Sequence, residues 1–158
     1  MNWTVVDGHN LLFGAPAYRR LRENDLGLAI SRLVADLEGL AARKTTRITV
    51  VFDGFPVGAA GHGGPVEVIF SDDKSADELI EALVKGSDKA REVTVVTADA
   101  AIIQAVSRSG VTTRRPDAFA RELFDEARAE PSHHNRLVLD ERLSADVKDK
   151  LERLRRGE

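Results

Sequence analysis

The chain has 158 residues, of which 42% are hydrophobic and 31% charged, with a formal net charge of −3. These values fit one globular domain with a sizeable core. The chain contains no cysteine, which excludes disulfides and thiolate metal sites and predicts a reducing, cytoplasmic setting. No run approaches the roughly 18 apolar residues of a membrane span, and the N-terminal residues predict no signal or transit peptide. The charge balance neither indicates nor excludes a nucleic-acid ligand, because a local basic stripe matters more than the total.

Predicted strands and helices alternate along the chain. Short β-branched runs predict five strands, at residues 2–6, 46–52, 66–70, 92–97 and 111–113. Helical spacing predicts helices at residues 17–22, 26–41, 76–84 and 100–107, and another that starts at Pro116. This alternation predicts an α/β fold, a three-layer α/β/α sandwich with a mainly parallel central sheet of about five strands.

Two stretches fall outside this alternation. Residues 53–65 contain five glycines and two prolines, so we expect a loop whose length makes a functional role attractive. Leu143, Val147, Leu151 and Leu154 recur at helical spacing on a charged background, which predicts a short amphipathic helix. We therefore divide the chain into a domain at residues 1–130 and a C-terminal extension at 131–158.

Three predicted strands end on or just before an aspartate, namely Asp7, Asp53 and Asp99. A fourth, Asp77, lies in the first turn of a helix that follows the cap residue Ser75. The carboxyl ends of parallel strands share one edge of the sheet, where ligands bind. The sequence therefore predicts four aspartates and Asn10 around one cleft. Singly, each acid also fits a turn or a helix cap.

Clustered carboxylates repel one another, and a cation is the usual compensation. Oxygen ligands without cysteine or a suitable histidine pair favour Mg²⁺ or Mn²⁺ over zinc. Such an ion activates water and stabilises charge on a phosphodiester during cleavage. Phosphate-ester hydrolysis is the chemistry that most naturally needs this arrangement.

The same segments resemble the YacP-like branch of the NYN domain proteins, which belong to the PIN-like nucleases. In chain order they are Val-Val-Asp-Gly-His-Asn-Leu-Leu at 5–12, Val-Val-Phe-Asp-Gly at 50–54, Val-Ile-Phe at 68–70, Ser-Ala-Asp-Glu-Leu-Ile at 75–80 and Val-Val-Thr-Ala-Asp at 95–99. His9 differs, standing where the family often has tyrosine.

The resemblance implies a PIN-like fold for residues 1–130 and metal-dependent endoribonuclease activity in the cytoplasm. It implies that Asp7, Asp77 and Asp99 are acidic metal ligands with Asn10 beside them. Asp53 and Thr97 would be supporting residues in the same catalytic cleft.

Two groups of arginines are candidates for holding RNA phosphates. They are Arg19, Arg20 and Arg22 after the first strand, and Arg114 and Arg115 near the fifth. A solvated charged surface explains them equally well. Tyr18, Phe13 and Phe55 are the aromatic residues predicted to stack on an unpaired base.

The first functional hypothesis is a Mg²⁺- or Mn²⁺-dependent endoribonuclease acting on mRNA, tRNA or rRNA, free or at the ribosome, as a monomer or weak homodimer without membrane contact. The second is an RNA- or ribosome-binding module of the same fold with little or no catalysis. A third, a phosphoacceptor domain, would need a lysine at the last strand, where the chain has Val-Thr-Thr-Arg at 111–114.

Overall fold

A parallel sheet of five strands forms the centre of the protein. The computed structural model describes residues 2–56 and 65–129. The strands are β1 (Trp3–Asp7), β2 (Arg47–Phe52), β3 (Val66–Phe70), β4 (Val93–Val96) and β5 (Thr112–Arg114). They lie in the order β3-β2-β1-β4-β5, and every neighbouring pair is parallel. The prediction of a parallel five-stranded sheet is confirmed.

Six α-helices lie in the described part of the chain. They are α1 (Gly8–Gly14), α2 (Arg19–Asn24), α3 (Leu26–Lys44), α4 (Ala76–Lys85), α5 (Ala100–Ser107) and α6 (Pro116–Ala129), with 3-10 turns at Pro16–Tyr18 and Ala90–Glu92. Helix α1 was not predicted, because its seven residues are too few to display a helical repeat. None of the described helices is long and apolar enough to cross a bilayer.

Helices cover both faces of the sheet. On one face, α4 and α5 pack on alternate strand residues in an apolar cluster that includes Val5, Val95, Ile80 and Ile102. On the other, α3 contacts β2 and β3, and α1 packs against α3 and β2. The predicted three-layer α/β/α arrangement is therefore confirmed. It follows from strands that are buried on both faces and so carry continuous apolar runs.

The chain divides into two compact units, Met1–Leu123 and Phe124–Glu158. The sheet and all the site residues discussed below belong to the first unit. The predicted boundary at residue 130, the predicted helix from Leu143 and residues 57–64 of the predicted loop lie outside the described residues, and these remain predictions.

The strand order places a topological switch point beside β1. Strands β2 and β3 lie on one side of β1, and β4 and β5 lie on the other. In open parallel sheets, ligands bind outside the carboxyl ends of the strands at such a point. The crevice between the ends of β1 and β4 is therefore the part of the fold best suited to a site.

Candidate active site at the carboxyl edge of the sheet

Asp7 ends β1 and lies at the centre of the edge. It is 3% exposed, and its side chain caps α1, which begins at the next residue. The backbone N–H of Asn10 donates to its Oδ1 at 3.5 Å, and the Thr97 hydroxyl donates to Oδ2 at 3.1 Å. Helix α1 starts this tightly because Gly8 has no side chain: a Cβ there would lie 2.3 Å from the Phe52 ring.

The surroundings of Asp7 disfavour its charged form. The pKa of Asp7 is raised to about 6, chiefly by burial; the hydrogen bonds from Asn10 and Thr97 lower it, and the charges of Asp53 and Asp77 add a smaller increase. A buried carboxyl with a displaced pKa beside other acids is a feature of functional sites.

Thr97 and Asp99 follow β4 and join its end to β1. Thr97 is fully buried, and its Oγ1 accepts from the Asp99 N–H at 3.1 Å. Asp99 caps α5, accepting at Oδ1 from the N–H groups of Ala101 and Ile102. The bond from the Ala98 N–H to Asn10 Oδ1, at 2.9 Å, completes the link. The Asn10 side chain therefore bridges the crevice between the ends of β1 and β4.

Asp53 ties the end of β2 to the start of α4. Its Oδ1 accepts from the Ala76 N–H at 2.8 Å. Its own N–H donates to His9 Nδ1 at 3.2 Å, and the next N–H, that of Gly54, donates to the Ser71 hydroxyl at 2.9 Å. His9 and Ser71 thus support the site, although neither was predicted to. A histidine side chain accepting from a backbone N–H 44 residues away leaves no local sequence signal.

Asp77 stands in the first turn of α4, where Ser75 caps the helix. Burial raises its pKa, and the neighbouring charges of Asp99, Asp53 and Glu81 raise it further. The structure therefore brings all six predicted catalytic residues to one edge of the sheet: Asp7, Asn10, Asp53, Asp77, Thr97 and Asp99. Hydrogen bonds connect the ends of β1 and β4, and electrostatic repulsion acts between the carboxylates.

The donor set of this edge suits a hard divalent cation by its chemistry. It consists of carboxylate, amide and hydroxyl oxygens, and burial together with the charges of neighbouring acids has raised the pKa values of Asp7 and Asp77. Within residues 2–56 and 65–129, however, no three His, Cys, Asp or Glu side chains are already grouped to hold a metal ion. The edge therefore offers charge and ligand type without a preformed coordination sphere.

The candidate RNA-binding arginines occupy different environments. Arg19 and Arg20 are exposed on α2, where Arg19 pairs with Glu23 at 3.2 Å. Arg22 donates to the Leu12 carbonyl and lies over the Phe13 ring.

Arg114 forms an ion pair with Glu122, which lowers the pKa of that carboxyl. Arg115 is 79% exposed and pairs with Asp117 at 3.3 Å. Of the five arginines, Arg115 alone lines the cavity beside Asn10.

Of the three aromatic residues predicted to stack on a base, the prediction for Tyr18 is wrong. Tyr18 is 1% exposed and its hydroxyl donates to Asp36 at 2.7 Å. It therefore anchors the segment before α2 onto α3. Phe13 and Phe55 are 62% and 67% exposed, so both remain accessible.

A cavity of about 540 Å³ opens next to the carboxylates. Its lining includes His9, Asn10, Phe13, Ala98, Arg115 and Asp117. Gly14 allows the end of α1 to close one side, because a Cβ there would lie 2.9 Å from Pro116. The cavity lies at the switch point of the sheet, and Asn10 and Ala98 belong to both the cavity and the hydrogen-bonded edge.

The fold and its acidic edge define a PIN-like α/β/α domain, and comparisons with known proteins place it within that class. The family model described as the YacP-like NYN domain matches residues 4–156. The chain therefore belongs to the YacP-like NYN family, which is a family of PIN-like nucleases.

Solved structures agree with this assignment. A crystal structure of Rae1 (YacP) from Bacillus subtilis is 27% identical, with a TM-score of 0.71, and covers 99% of this chain and 96% of that one. A tryptophan-to-leucine mutant of the same protein is 28% identical, with a TM-score of 0.73 and the same coverage. No curated protein matches the chain.

Proposed function

We propose that this protein is a metal-dependent endoribonuclease that hydrolyses RNA phosphodiester bonds at the carboxyl edge of its sheet. The observation that carries the proposal is the convergence of Asp7, Asp53, Asp77 and Asp99 at one edge, where burial, and to a smaller extent the charges of the neighbouring acids, raise the pKa values of Asp7 and Asp77. A binding surface for phosphates gains nothing from such repulsion unless a cation offsets it. Membership of a nuclease family supports the same activity.

Asp7, Asp77 and Asp99 would hold Mg²⁺ or Mn²⁺, which supplies an activated water and stabilises negative charge on the phosphate. The remaining roles belong to the chain itself. Thr97 donates to Asp7 and keeps its second oxygen oriented. Asn10 holds the β1–β4 crevice at a fixed width through Ala98. Asp53 fixes the start of α4, and with it the position of Asp77.

The substrate we propose is cytoplasmic RNA, whether mRNA, tRNA or rRNA, free or on the ribosome, with the protein acting as a monomer or weak homodimer. Arg115 beside the cavity and Arg19 and Arg20 on α2 are exposed and available to phosphates. Arg22 and Arg114 would contribute mainly by supporting Phe13 and α6.

A second candidate is an RNA- or ribosome-binding module with little catalysis. What favours it is that no metal-ligand group of three is preformed in the described residues, and that both oxygens of Asp7 already accept hydrogen bonds from the protein. The two candidates differ in whether the carboxylates are needed for bond cleavage.

The deciding experiment pairs Asp77→Asn with Glu78→Gln, the next residue in the same turn of α4. Each variant removes one negative charge, but Asp77 interacts with Asp53 and Asp99 whereas Glu78 is exposed. Purified proteins are incubated with structured and unstructured RNA, with Mn²⁺ or with a chelator. We expect cleavage by wild type and Glu78→Gln in Mn²⁺ only, and at least a 100-fold loss in Asp77→Asn, the order of magnitude for losing a group that stabilises the transition state.

Cleavage that survives in the chelator, or in Asp77→Asn, would overturn the proposed metal site. RNA binding without any cleavage by wild type would instead favour the binding module.

A further inference from the structure

Phe13 presents an oriented aromatic ring next to the candidate active site. The residue is 62% exposed, yet its ring is held: the Arg22 guanidinium lies 4.8 Å from the ring centre, and the His9 ring stacks beside it at an angle of 20° and a centroid distance of 6.5 Å. Arg22 is itself fixed by a bond to the Leu12 carbonyl. A single exposed phenylalanine is ordinary, but one held in place by a cation and a second ring has a defined orientation for stacking.

The ring also lines the cavity of about 540 Å³, whose lining includes Asn10 and Ala98. These two residues are joined by a hydrogen bond, and the Asn10 N–H donates to Asp7. The short helix α1, which Asp7 caps and which contains Phe13, therefore connects the carboxylate edge to the cavity. The cavity falls within the size range of small-ligand pockets.

Charge on the cavity rim differs from charge at the acidic edge. Arg115 and Arg121 both pair with Asp117, at 3.3 and 3.4 Å, so this group keeps one net positive charge. Arg22 adds another beside Phe13. The cavity side thus attracts the phosphates of a strand, while the carboxylate side repels them in the absence of a cation.

We propose that Phe13, supported by His9 and Arg22, is a stacking platform for one unpaired nucleobase of the RNA substrate, and that Arg115 binds the phosphate of that nucleotide. The inference rests on the proposed function. It specifies single-stranded RNA, because the bases of a duplex are covered on both faces by their neighbours and cannot reach an aromatic side chain.

The test uses a short, unstructured, fluorescently labelled RNA with one cleavage site, and copies of it with an abasic nucleotide at each position in turn. Affinity is measured by fluorescence anisotropy in a chelator, and cleavage kinetics with Mn²⁺. We expect one abasic position near the cleavage site to weaken wild-type binding roughly 5- to 150-fold, the range known for base–aromatic stacking. Phe13→Ala should lose a similar factor and become insensitive to that abasic position, whereas Phe13→Trp should keep both properties.

The matched control is Leu28→Ala, which removes an exposed apolar side chain (54% exposed) that does not line the cavity. Its affinity should equal that of the wild type. Equal binding by Phe13→Ala and wild type, or a wild-type abasic profile without a sensitive position, would overturn the platform. The abasic profile needs no variant, so it decides the matter even if Phe13→Ala folds poorly. Cleavage by wild type without a Phe13 effect rejects the platform alone, whereas no cleavage of any RNA rejects the proposed nuclease.

Discussion

The ionisation of Asp7 is linked to folding, because its carboxyl is buried and surrounded by other acids. Its pKa is raised from 3.8 to about 6 in the folded protein. A group whose pKa is raised by folding stabilises the protein fully below its unfolded pKa, and this contribution is lost as pH rises through the folded pKa. The free energy of unfolding should therefore fall between pH 3.8 and about 6, by about 2–3 kcal/mol from this group.

Asp7→Asn removes this titration. In a chelator, we expect the variant to be more stable than wild type by up to about 2–3 kcal/mol near neutral pH, with the difference disappearing in acid. Urea unfolding at several pH values measures the difference. Glu67→Gln, which removes an exposed carboxylate, should show no comparable dependence. A constant difference between Asp7→Asn and wild type across the pH range would contradict the linkage.

Thr97 is the second residue on which the buried network depends. Its hydroxyl donates to Asp7 and accepts from the Asp99 N–H. Thr97→Val keeps the shape but leaves both partners unsatisfied, so we expect a loss of about 1–3 kcal/mol in unfolding free energy and reduced RNA cleavage. Thr97→Ser keeps the hydroxyl and should retain more stability and more cleavage than Thr97→Val. The two variants behaving alike would show that the hydroxyl is not what matters.

At the residue scale, the sequence predicts the location of a side chain correctly where the direction of the strands alone determines that location. Asp7, Asp53 and Asp99 follow strands that end at one edge, so their convergence could be predicted from strand direction. Tyr18 could not be placed, because its burial depends on Asp36, a partner 18 residues away on a helix whose packing angle the sequence does not reveal.

At the scale of helices, the acids of the site also serve as caps. Asp7 caps α1 and Asp99 caps α5, while Asp53 accepts from the first residue of α4. The helix N-termini partly offset the charge that these carboxylates bring together. The alternative interpretation of each acid as a cap is thus compatible with its place in the cleft.

Capping and catalysis at Asp99 can be separated by two substitutions. Asp99→Ala removes the acceptor for Ala101 and Ile102 and should cost about 1 kcal/mol, whereas Asp99→Asn keeps an acceptor and should cap the helix about as well as aspartate does. Both should lose RNA cleavage if the charge is required. The control is Asp25→Ala, which removes the cap of α3 and should lose stability but keep cleavage. Full cleavage by Asp99→Asn would reduce Asp99 to a structural role.

Apart from α1, the type of the strands and α-helices in the described residues followed from hydrophobic periodicity, but their arrangement did not. No local pattern specifies that β4 pairs with β1 on the side opposite β2, because that choice depends on which crossover buries the most apolar surface. Helix α1 was not predicted, because it is short and because its capping residue, Asp7, also ends β1 without an intervening turn. The cavity beside Asn10 depends on both α1 and the pairing of β4 with β1, because its lining includes Asn10 of α1 and Ala98, which follows β4.

At the scale of the whole molecule, charge is distributed unevenly around a modest net value of −3. The acids of β1, β2, β4 and α4 meet at one edge, while Arg115 lines the adjoining cavity and Arg22 and Arg121 contact its lining residues Phe13 and Asp117. Total charge could not have revealed this division, since it arises only when β1 and β4 become neighbours. An RNA strand crossing the edge would meet attraction on one side and, without a cation, repulsion on the other.

A divalent cation that binds only the folded protein should therefore raise its melting temperature. At 100 times its Kd the ion adds about 2.7 kcal/mol, and each kcal/mol corresponds to about 2–4 °C for a chain of this size. We expect Mg²⁺ or Mn²⁺ to raise the midpoint near neutral pH and to do so less in acid, where protons compete for Asp7 and Asp77. Asp77→Asn should lose most of the rise, while Glu78→Gln should keep it. The same rise in both variants would mean that the ion binds away from this edge.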